Sequence, residues 1–193
     1  EEATGTLKEL YDDVERVRGK GRLSNLFKGY GAFPELGLAN FKRLTVLLAS
    51  GTLSGKLKES VMTALAVINE CDYCLSFHGT EMQGHGARDD EIAGARNFDA
   101  DKLDFNDKER ELFELAMKAN GDPHSIQRED IERCRALGTT DSEFVELFET
   151  VNTGNTFNTF AGALNIGADT FLSYAMDEYY AKHGRPEEVE ATN

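Results

Sequence analysis

Residues 54–79 read SGKLKESVMTALAVINECDYCLSFHG, and the first half of this stretch predicts an amphipathic helix. Ser54 is a favourable N-cap residue, because its hydroxyl can accept a free backbone N–H of the first turn. Apolar side chains then recur every four residues, at Leu57, Val61 and Leu65. This spacing places them on one face, which is typical of a helix that packs against a core.

Two cysteines and a histidine stand in a second predicted helix, residues 70–84. Cys71, Cys74 and His78 have the i, i+3, i+7 spacing that places side chains along one helical face. We expect Asn69 to be the N-cap, which puts Cys71 in the first turn and makes it the more acidic thiol, since a helix N-terminus favours the thiolate. Two intervening residues also let the sulfurs close into a disulfide. The spacing therefore indicates a reversible dithiol.

A histidine in this position can act as a proton acceptor for the thiols. His78 follows Cys74 by four residues, within hydrogen-bonding reach directly or through one water. Such a histidine usually needs a carboxylate to orient it. Glu70 and Asp72 point off the face, so we expect Glu59 on the preceding helix to fill this role if the two helices cross.

The same cluster has two other interpretations. A structural zinc site needs four ligands, and the cysteine pair and His78 supply three, so the fourth would be Glu59 or His85. Alternatively, the cysteines are buried thiols without chemistry, as we expect for Cys134, because free cysteine behaves as a small apolar residue.

The composition excludes several classes of function. The chain has 193 residues with 35 Asp and Glu against 21 Lys and Arg, a net charge of −14. This charge argues against binding to nucleic acid or to an anionic membrane, since both require a basic face. No apolar run approaches the length of a membrane span, and no basic-then-apolar leader is visible. Three clustered cysteines do not make a disulfide scaffold, and we expect a cytoplasmic protein.

Helical signals continue along the chain. The sequences NDKE at 106–109 and TDSE at 140–143 are typical of helix starts, the second as a full capping box. No convincing run of alternating β-branched residues predicts a strand. The sequence therefore predicts an all-α fold in a single domain, residues 1–193. Its expected parts are an N-terminal helical arm over 1–33, a core over 34–168, and a C-terminal helix and tail over 169–193.

A faint internal repeat has an offset of 83 residues. The matching pairs are Asn69 with Asn152, Phe77 with Phe160, Gly79 with Gly162, and Gly84 with Gly167. One interpretation is two related helical hairpins, of which only the first kept reactive groups. The other is a chance similarity between two buried helices.

The order Glu59, Cys71-x-x-Cys74, His78 resembles the active-site pattern of the AhpD-like alkylhydroperoxidases, within the carboxymuconolactone decarboxylase family. Later stretches resemble the longer, peroxidase-related branch of that family, and the likeness covers roughly residues 34–168. These stretches are DFNDKERELFELAMK, REDIERCRALGTTDSEFVELFETV and NTFNTFAGAL.

The resemblance implies an all-helical homo-oligomer with its site between two helices. We expect neither a cofactor nor a metal. It implies that Cys74 is the thiolate that attacks a hydroperoxide and that Cys71 resolves the resulting sulfenic acid to a disulfide. An external thiol reductant would then reduce this disulfide, while Glu59 and His78 relay the proton. We follow the family in assigning peroxide attack to Cys74, although the helix dipole favours Cys71.

One departure from the family pattern affects the expected activity. Some relatives carry a histidine between the cysteines, where this chain has Asp72 and Tyr73, and we expect this change to raise the thiol pKa and lower peroxidase activity. Alternatives are a thiol–disulfide oxidoreductase without peroxidase activity and a metal-binding, non-catalytic helical protein. Decarboxylation through Glu59 and His78 ranks lowest, because the relatives that perform it lack the cysteines.

Overall fold

The computed structural model describes residues 3–184 as ten α-helices joined by turns and short 3-10 segments, with no strand in that range. This confirms the predicted all-α fold. Within the same residues, no helix combines the length and apolar character needed to cross a membrane. The helices are α1 Gly5–Arg18, α2 Asn25–Lys28, α3 Pro34–Ala49, α4 Gly55–Ile68, α5 Asp72–Gly84, α6 Asp89–Arg96, α7 Asp107–Gly121, α8 Arg128–Ala136, α9 Asp141–Ala163 and α10 Met176–His183.

Helix α4 is the central element of the fold. Ten consecutive residues, Leu57 to Ala66, are buried, so this helix has no solvent-facing stripe. It packs against α5, α6, α7 and α9. Its start is the one predicted, because the Ser54 hydroxyl accepts the Leu57 N–H at 3.1 Å. A helix that is buried on all sides is stabilised by its neighbours rather than by its own propensity.

Two apolar clusters lie on either side of α4. One joins it to α6, α7 and α9 through residues such as Leu65, Leu112 and Leu147. The other joins α1, α2 and α3 to α5, and includes Phe27 together with both cysteines of the CxxC pair. The described part of the predicted N-terminal arm therefore covers the cysteines. Residues 185–193 of the predicted tail lie outside the described residues.

A buried ion pair connects α4 to α9. Lys58 is 2% exposed, and its Nζ donates to Glu146 Oε1 at 2.8 Å and to the carbonyls of Leu47 and Leu48 at 3.0 and 3.3 Å. The other Glu146 oxygen accepts two backbone N–H groups from the loop before α4. Because a buried charge is tolerated only with partners, this network fixes how α3, α4 and α9 meet.

The later helix starts agree with the sequence. The side chains of Asn106 and Thr140 each accept the backbone N–H of the glutamate three residues later. The side chain of each glutamate in turn accepts the backbone N–H of Asn106 or Thr140, which makes two capping boxes.

The proposed hairpin repeat is not present, however. Residues 152–163 lie inside the continuous helix α9, whereas residues 69–71 form the turn between α4 and α5. The second half of the offset match therefore does not form a hairpin.

Replacing Lys58 with Met should lower the free energy of unfolding by about 3 kcal/mol, because it leaves the Glu146 carboxylate buried with only backbone donors. Adding Glu146→Gln should recover part of this loss by removing the unpaired charge. Urea unfolding followed by circular dichroism measures both. The matched control, Arg128→Gln, breaks an exposed pair with Glu132 and should change stability by less than about 0.5 kcal/mol. A loss for Lys58→Met no larger than that of the control would contradict the prediction.

Candidate active site

The turn between α4 and α5 sets the positions of both cysteines. Asn69 ends α4 as its C-cap, so its predicted role as the N-cap of α5 is wrong. The reason is Glu70, whose φ of 51° lies in the left-handed region and reverses the chain. Cys71 thereby becomes the N-cap, and Cys74 lies in the first turn of α5.

Cys71 and Cys74 are joined by a disulfide, with their Cα atoms 5.2 Å apart. This separation is within the normal range for such a bond. Both residues are buried, and the Cys71 sulfur accepts the Cys74 N–H at 3.3 Å. The first-turn N–H thus points at the Cys71 sulfur, where it would stabilise a thiolate after reduction.

Glu59 and His78 form a buried pair across the α4–α5 interface. Glu59 Oε2 lies 2.7 Å from His78 Nδ1, and the two residues are 3% and 9% exposed. With the proton on Nδ1, the imidazole donates to the carboxylate, which fixes the orientation of the ring. His78 Nε2 has no hydrogen-bond partner among residues 3–184, so it is free to exchange a proton with a bound group.

The Glu59–His78 pair and Cys74 line the same cavity, which has a volume of about 290 Å³. Most of its other walls are apolar, and they come from α1, α2, α3, α5, α9 and the segment before α10. These side chains are Val17, Leu26, Phe41, Leu44, Leu48, Phe77, Phe157 and Phe171. A concave, apolar pocket with a few convergent polar groups is the usual form of a small-molecule site.

Cys71 does not line this cavity. It faces a separate depression of about 120 Å³, together with Asp72, Tyr179 and His183. Helix α10 borders the depression, and Lys182 Nζ and His183 Nε2 each lie 2.7 Å from Asp72 Oδ2. Burial raises the pKa of Asp72, but the hydrogen bonds from Lys182 and His183 outweigh it and hold that pKa below its ordinary value. The disulfide therefore has two sides: Cys74 lines the apolar cavity on one side, and Cys71 lines the depression on the other.

Tyr73 forms the wall between the two sides. It lines both the cavity and the depression, and its hydroxyl donates to Asp169 Oδ2 at 2.8 Å. Asp169 Oδ1 accepts the Asn25 N–H at 2.7 Å. Burial raises the pKa of both groups, and the neighbouring carboxylate raises that of Tyr73 further. The sequence contains no motif around Asp169, so this contact could not be read from it.

The remaining candidates lie away from the cysteine pair. His85 is exposed at the C-cap of α5 and lies beside Gly55, and Glu59 is held by His78, so neither adds a fourth ligand. Within residues 3–184, no group of three or more His, Cys, Asp or Glu side chains is arranged to hold a metal ion. Cys134 is buried on α8, as expected, and burial raises the pKa of its thiol.

The segment that holds this site is similar to a known protein family. Residues 34–106, from α3 to just before α7, match the model of the carboxymuconolactone decarboxylase family. This range contains Glu59, Cys71, Cys74 and His78. These residues are therefore similar to a domain of this family, and the chain has the AhpD-like fold that its sequence resembles. No curated protein matches the chain.

Several solved structures share the fold. An alkylhydroperoxidase AhpD core protein, an uncharacterized peroxidase-related protein from Ralstonia eutropha JMP134, superposes with a TM-score of 0.75 at 18% identity over 96% of each chain. An uncharacterized peroxidase-related protein from Silicibacter sp. TM1040 gives 0.71 at 19% identity over 84% of each chain. A variant of the debrominase Bmp8 in complex with 2,3,4-tribromopyrrole gives 0.70 at 18% identity over 90% of each chain. At these identities the likeness shows a common fold alone.

Tyr73→Phe should destabilise the protein by about 1–3 kcal/mol, because it removes a donor from the buried Asp169 carboxylate. Thermal and urea unfolding measure the change. Tyr11→Phe is the matched control, since the Tyr11 hydroxyl has no hydrogen-bond partner among the described residues. Equal stability of the two variants would show that the Tyr73–Asp169 bond does not support the fold.

Proposed function

We propose that this protein is a thiol-dependent reductase of organic hydroperoxides that works through the Cys71–Cys74 dithiol. One observation carries the proposal: Cys74 lines an apolar cavity with the buried Glu59–His78 pair, while Cys71 lies within disulfide distance behind it. A nucleophile, a base and a group that orients the base are the parts that nucleophilic catalysis requires. The family domain supports the same chemistry.

The first step forms a sulfenic acid on Cys74. His78 takes the thiol proton, and Glu59 stabilises the imidazolium that results. The thiolate attacks the terminal oxygen of the hydroperoxide, the O–O bond breaks, and the alkoxide takes the proton back from His78 and leaves as an alcohol. The sulfur is oxidised by two electrons, and the peroxide is reduced by two.

The second step closes the disulfide. The Cys71 sulfur, whose thiolate is favoured by the Cys74 N–H, attacks the Cys74 sulfur. The S–O bond breaks, and the hydroxide leaves as water with the proton that Cys71 gave up. This step explains how the two cysteines can have different roles: Cys74 shares the cavity with His78, and Cys71 has the N-cap position.

The third step needs an external thiol reductant, which we propose approaches from the side of Cys71. A thiolate of the reductant attacks the Cys71 sulfur and releases Cys74 as a thiolate beside His78. A second thiol then releases the reductant as a disulfide, and Cys71 regains its proton. Because Cys71 faces the depression bordered by α10, the reductant has a route that is separate from that of the hydroperoxide.

We also propose that the chain forms a homo-oligomer, as the resemblance implies. Val46 on α3 and Val145 on α9 are more than 60% exposed and line one shallow depression, which suits contact with another copy. Analytical ultracentrifugation measures the state, and a Val46→Glu, Val145→Glu variant should shift it toward the monomer if this face is the interface.

Rapid mixing of the reduced protein with cumene hydroperoxide tests the roles of the cysteines. The wild type should lose two thiols, Cys71→Ser should accumulate a sulfenic acid that dimedone traps, and Cys74→Ser should be inert. Cys134→Ser is the control and should behave as the wild type, because that thiol is buried away from the cavity. If Cys74→Ser reacted with the hydroperoxide and Cys71→Ser did not, the roles of the two cysteines would be reversed. If the wild type reacted with cumene hydroperoxide no faster than free cysteine does, thiol–disulfide exchange would be left as the function.

Glu59→Gln should lower the second-order rate of peroxide reduction about 100-fold, because His78 loses the group that stabilises its charged form. Glu70→Gln is the matched control, since Glu70 is exposed in the neighbouring turn and does not line the cavity. The same stopped-flow assay measures both, with circular dichroism to confirm folding. A folded Glu59→Gln variant within threefold of the wild type would exclude Glu59 from the relay.

A further inference from the structure

Two arginines that line the cysteine cavity have no carboxylate partner among the described residues. Among residues 3–184, neither Arg18 nor Arg22 lies within ion-pair distance of an Asp or Glu, although the chain has 35 carboxylates and only 21 Lys and Arg. Every other arginine in that range is paired. These are Arg16, Arg43, Arg88, Arg96, Arg110, Arg128, Arg133 and Arg135.

The surrounding segment reverses the charge of the chain. Residues 16–34 contain five cationic side chains and no Asp or Glu, in a protein whose net charge is −14. Arg22 is exposed and Arg18 is partly exposed, so both can meet a ligand that enters the cavity from solvent. A local basic segment on an acidic protein makes the electrostatic potential at this opening more positive, which attracts small anions.

Aromatic rings hold both guanidinium groups in place. Arg18 Cζ lies 4.3 Å from the centre of the Phe77 ring, and Arg22 Cζ lies 5.9 Å from that of Phe171. Arg18 lines the same cavity as Cys74 and His78, so its charge shares that cavity with the proposed reacting groups. Stacking leaves the N–H donors at the guanidinium edge available, and neither arginine donates a hydrogen bond to another described residue.

None of the described carboxylates around the two arginines forms an ion pair with either of them. Burial raises the pKa of Asp169, and the Arg18 charge opposes this only in part; the oxygens of Asp169 already accept from the Asn25 N–H and the Tyr73 hydroxyl. Glu59 is held by His78, and Glu81, which also lines the cavity, forms no ion pair within the described part of the chain. The two arginines are therefore not part of a structural ion-pair network.

We propose that the cavity binds an apolar hydroperoxide that bears a carboxylate, with Arg18 and Arg22 holding the carboxylate and the hydroperoxide directed at Cys74. This rests on the proposed function and names its substrate class. The apolar walls fit a hydrocarbon body, and the guanidinium fork matches a carboxylate with two parallel hydrogen bonds. A volume of about 290 Å³ is at the low end for small-molecule pockets, so the body is about the size of one substituted ring.

The test compares cumene hydroperoxide with its para-carboxylate, which differ only in the charged group. The readout is the ratio of kcat/KM for the carboxylate to that for the neutral compound. The ratio should exceed one for the wild type and fall about tenfold in Arg18→Gln and in Arg22→Gln, as expected for one charge-assisted contact. Arg18→Lys should restore part of it. Arg16→Gln, which removes the same charge from the same helix outside the cavity, should leave the ratio unchanged.

A binding measurement separates this inference from the proposed function. Calorimetric titration of the disulfide form with para-isopropylbenzoate and with its uncharged amide needs no turnover. Binding of the benzoate alone, lost in Arg18→Gln and Arg22→Gln, supports the anion site even if no hydroperoxide is reduced. Suppose instead that the protein turns over both hydroperoxides, that neither Gln variant changes the kcat/KM ratio, and that the benzoate does not bind. This result would overturn the anion site and leave the peroxidase function in place. An equal fall in the ratio for Arg16→Gln would also overturn it, because the effect would then be general charge.

Discussion

Two adjacent ionisable residues on the central helix, Lys58 and Glu59, are both buried, and the arrangement of the other helices depends on giving each a partner. Lys58 points to one side and pairs with Glu146 on α9, while Glu59 points to the other and pairs with His78 on α5. Because an unpaired charge in this environment costs several kcal/mol, neither α5 nor α9 can shift along α4 without loss. The Glu59–His78 contact is thus part of the same constraint that assembles the fold.

The CxxC pair is asymmetric because the chain reverses immediately before it. The left-handed turn at Glu70 leaves Cys71 as the N-cap and sends Cys74 into the first turn of α5. One sulfur then joins the apolar cavity with His78, and the other faces the depression under α10. Tyr73 separates the two. A dithiol arranged in this way can meet an oxidant and a reductant from different directions, which suits a cycle in which both must react in turn.

The segment that matches the family model holds the candidate site residues, and residues outside it complete the cavity. Glu59, both cysteines and His78 lie within residues 34–106, whereas Arg18, Phe157 and other walls come from the N-terminal arm and from α9. The four candidate site residues and part of the cavity wall therefore come from different segments of the chain.

The sequence by itself determined the all-α fold, the helix starts at Ser54, Asn106 and Thr140, and the candidate site residues, because helical periodicity, capping and the CxxC spacing are local properties. It did not determine the turn at Glu70, since a left-handed glutamate is not signalled by its residue type, and the predicted N-cap was therefore misplaced. The partner of Lys58, the contact of Tyr73 with Asp169 and the position of the unpaired arginines were decided only by the tertiary structure. Each of these joins segments far apart in the chain, and burial selects the partner.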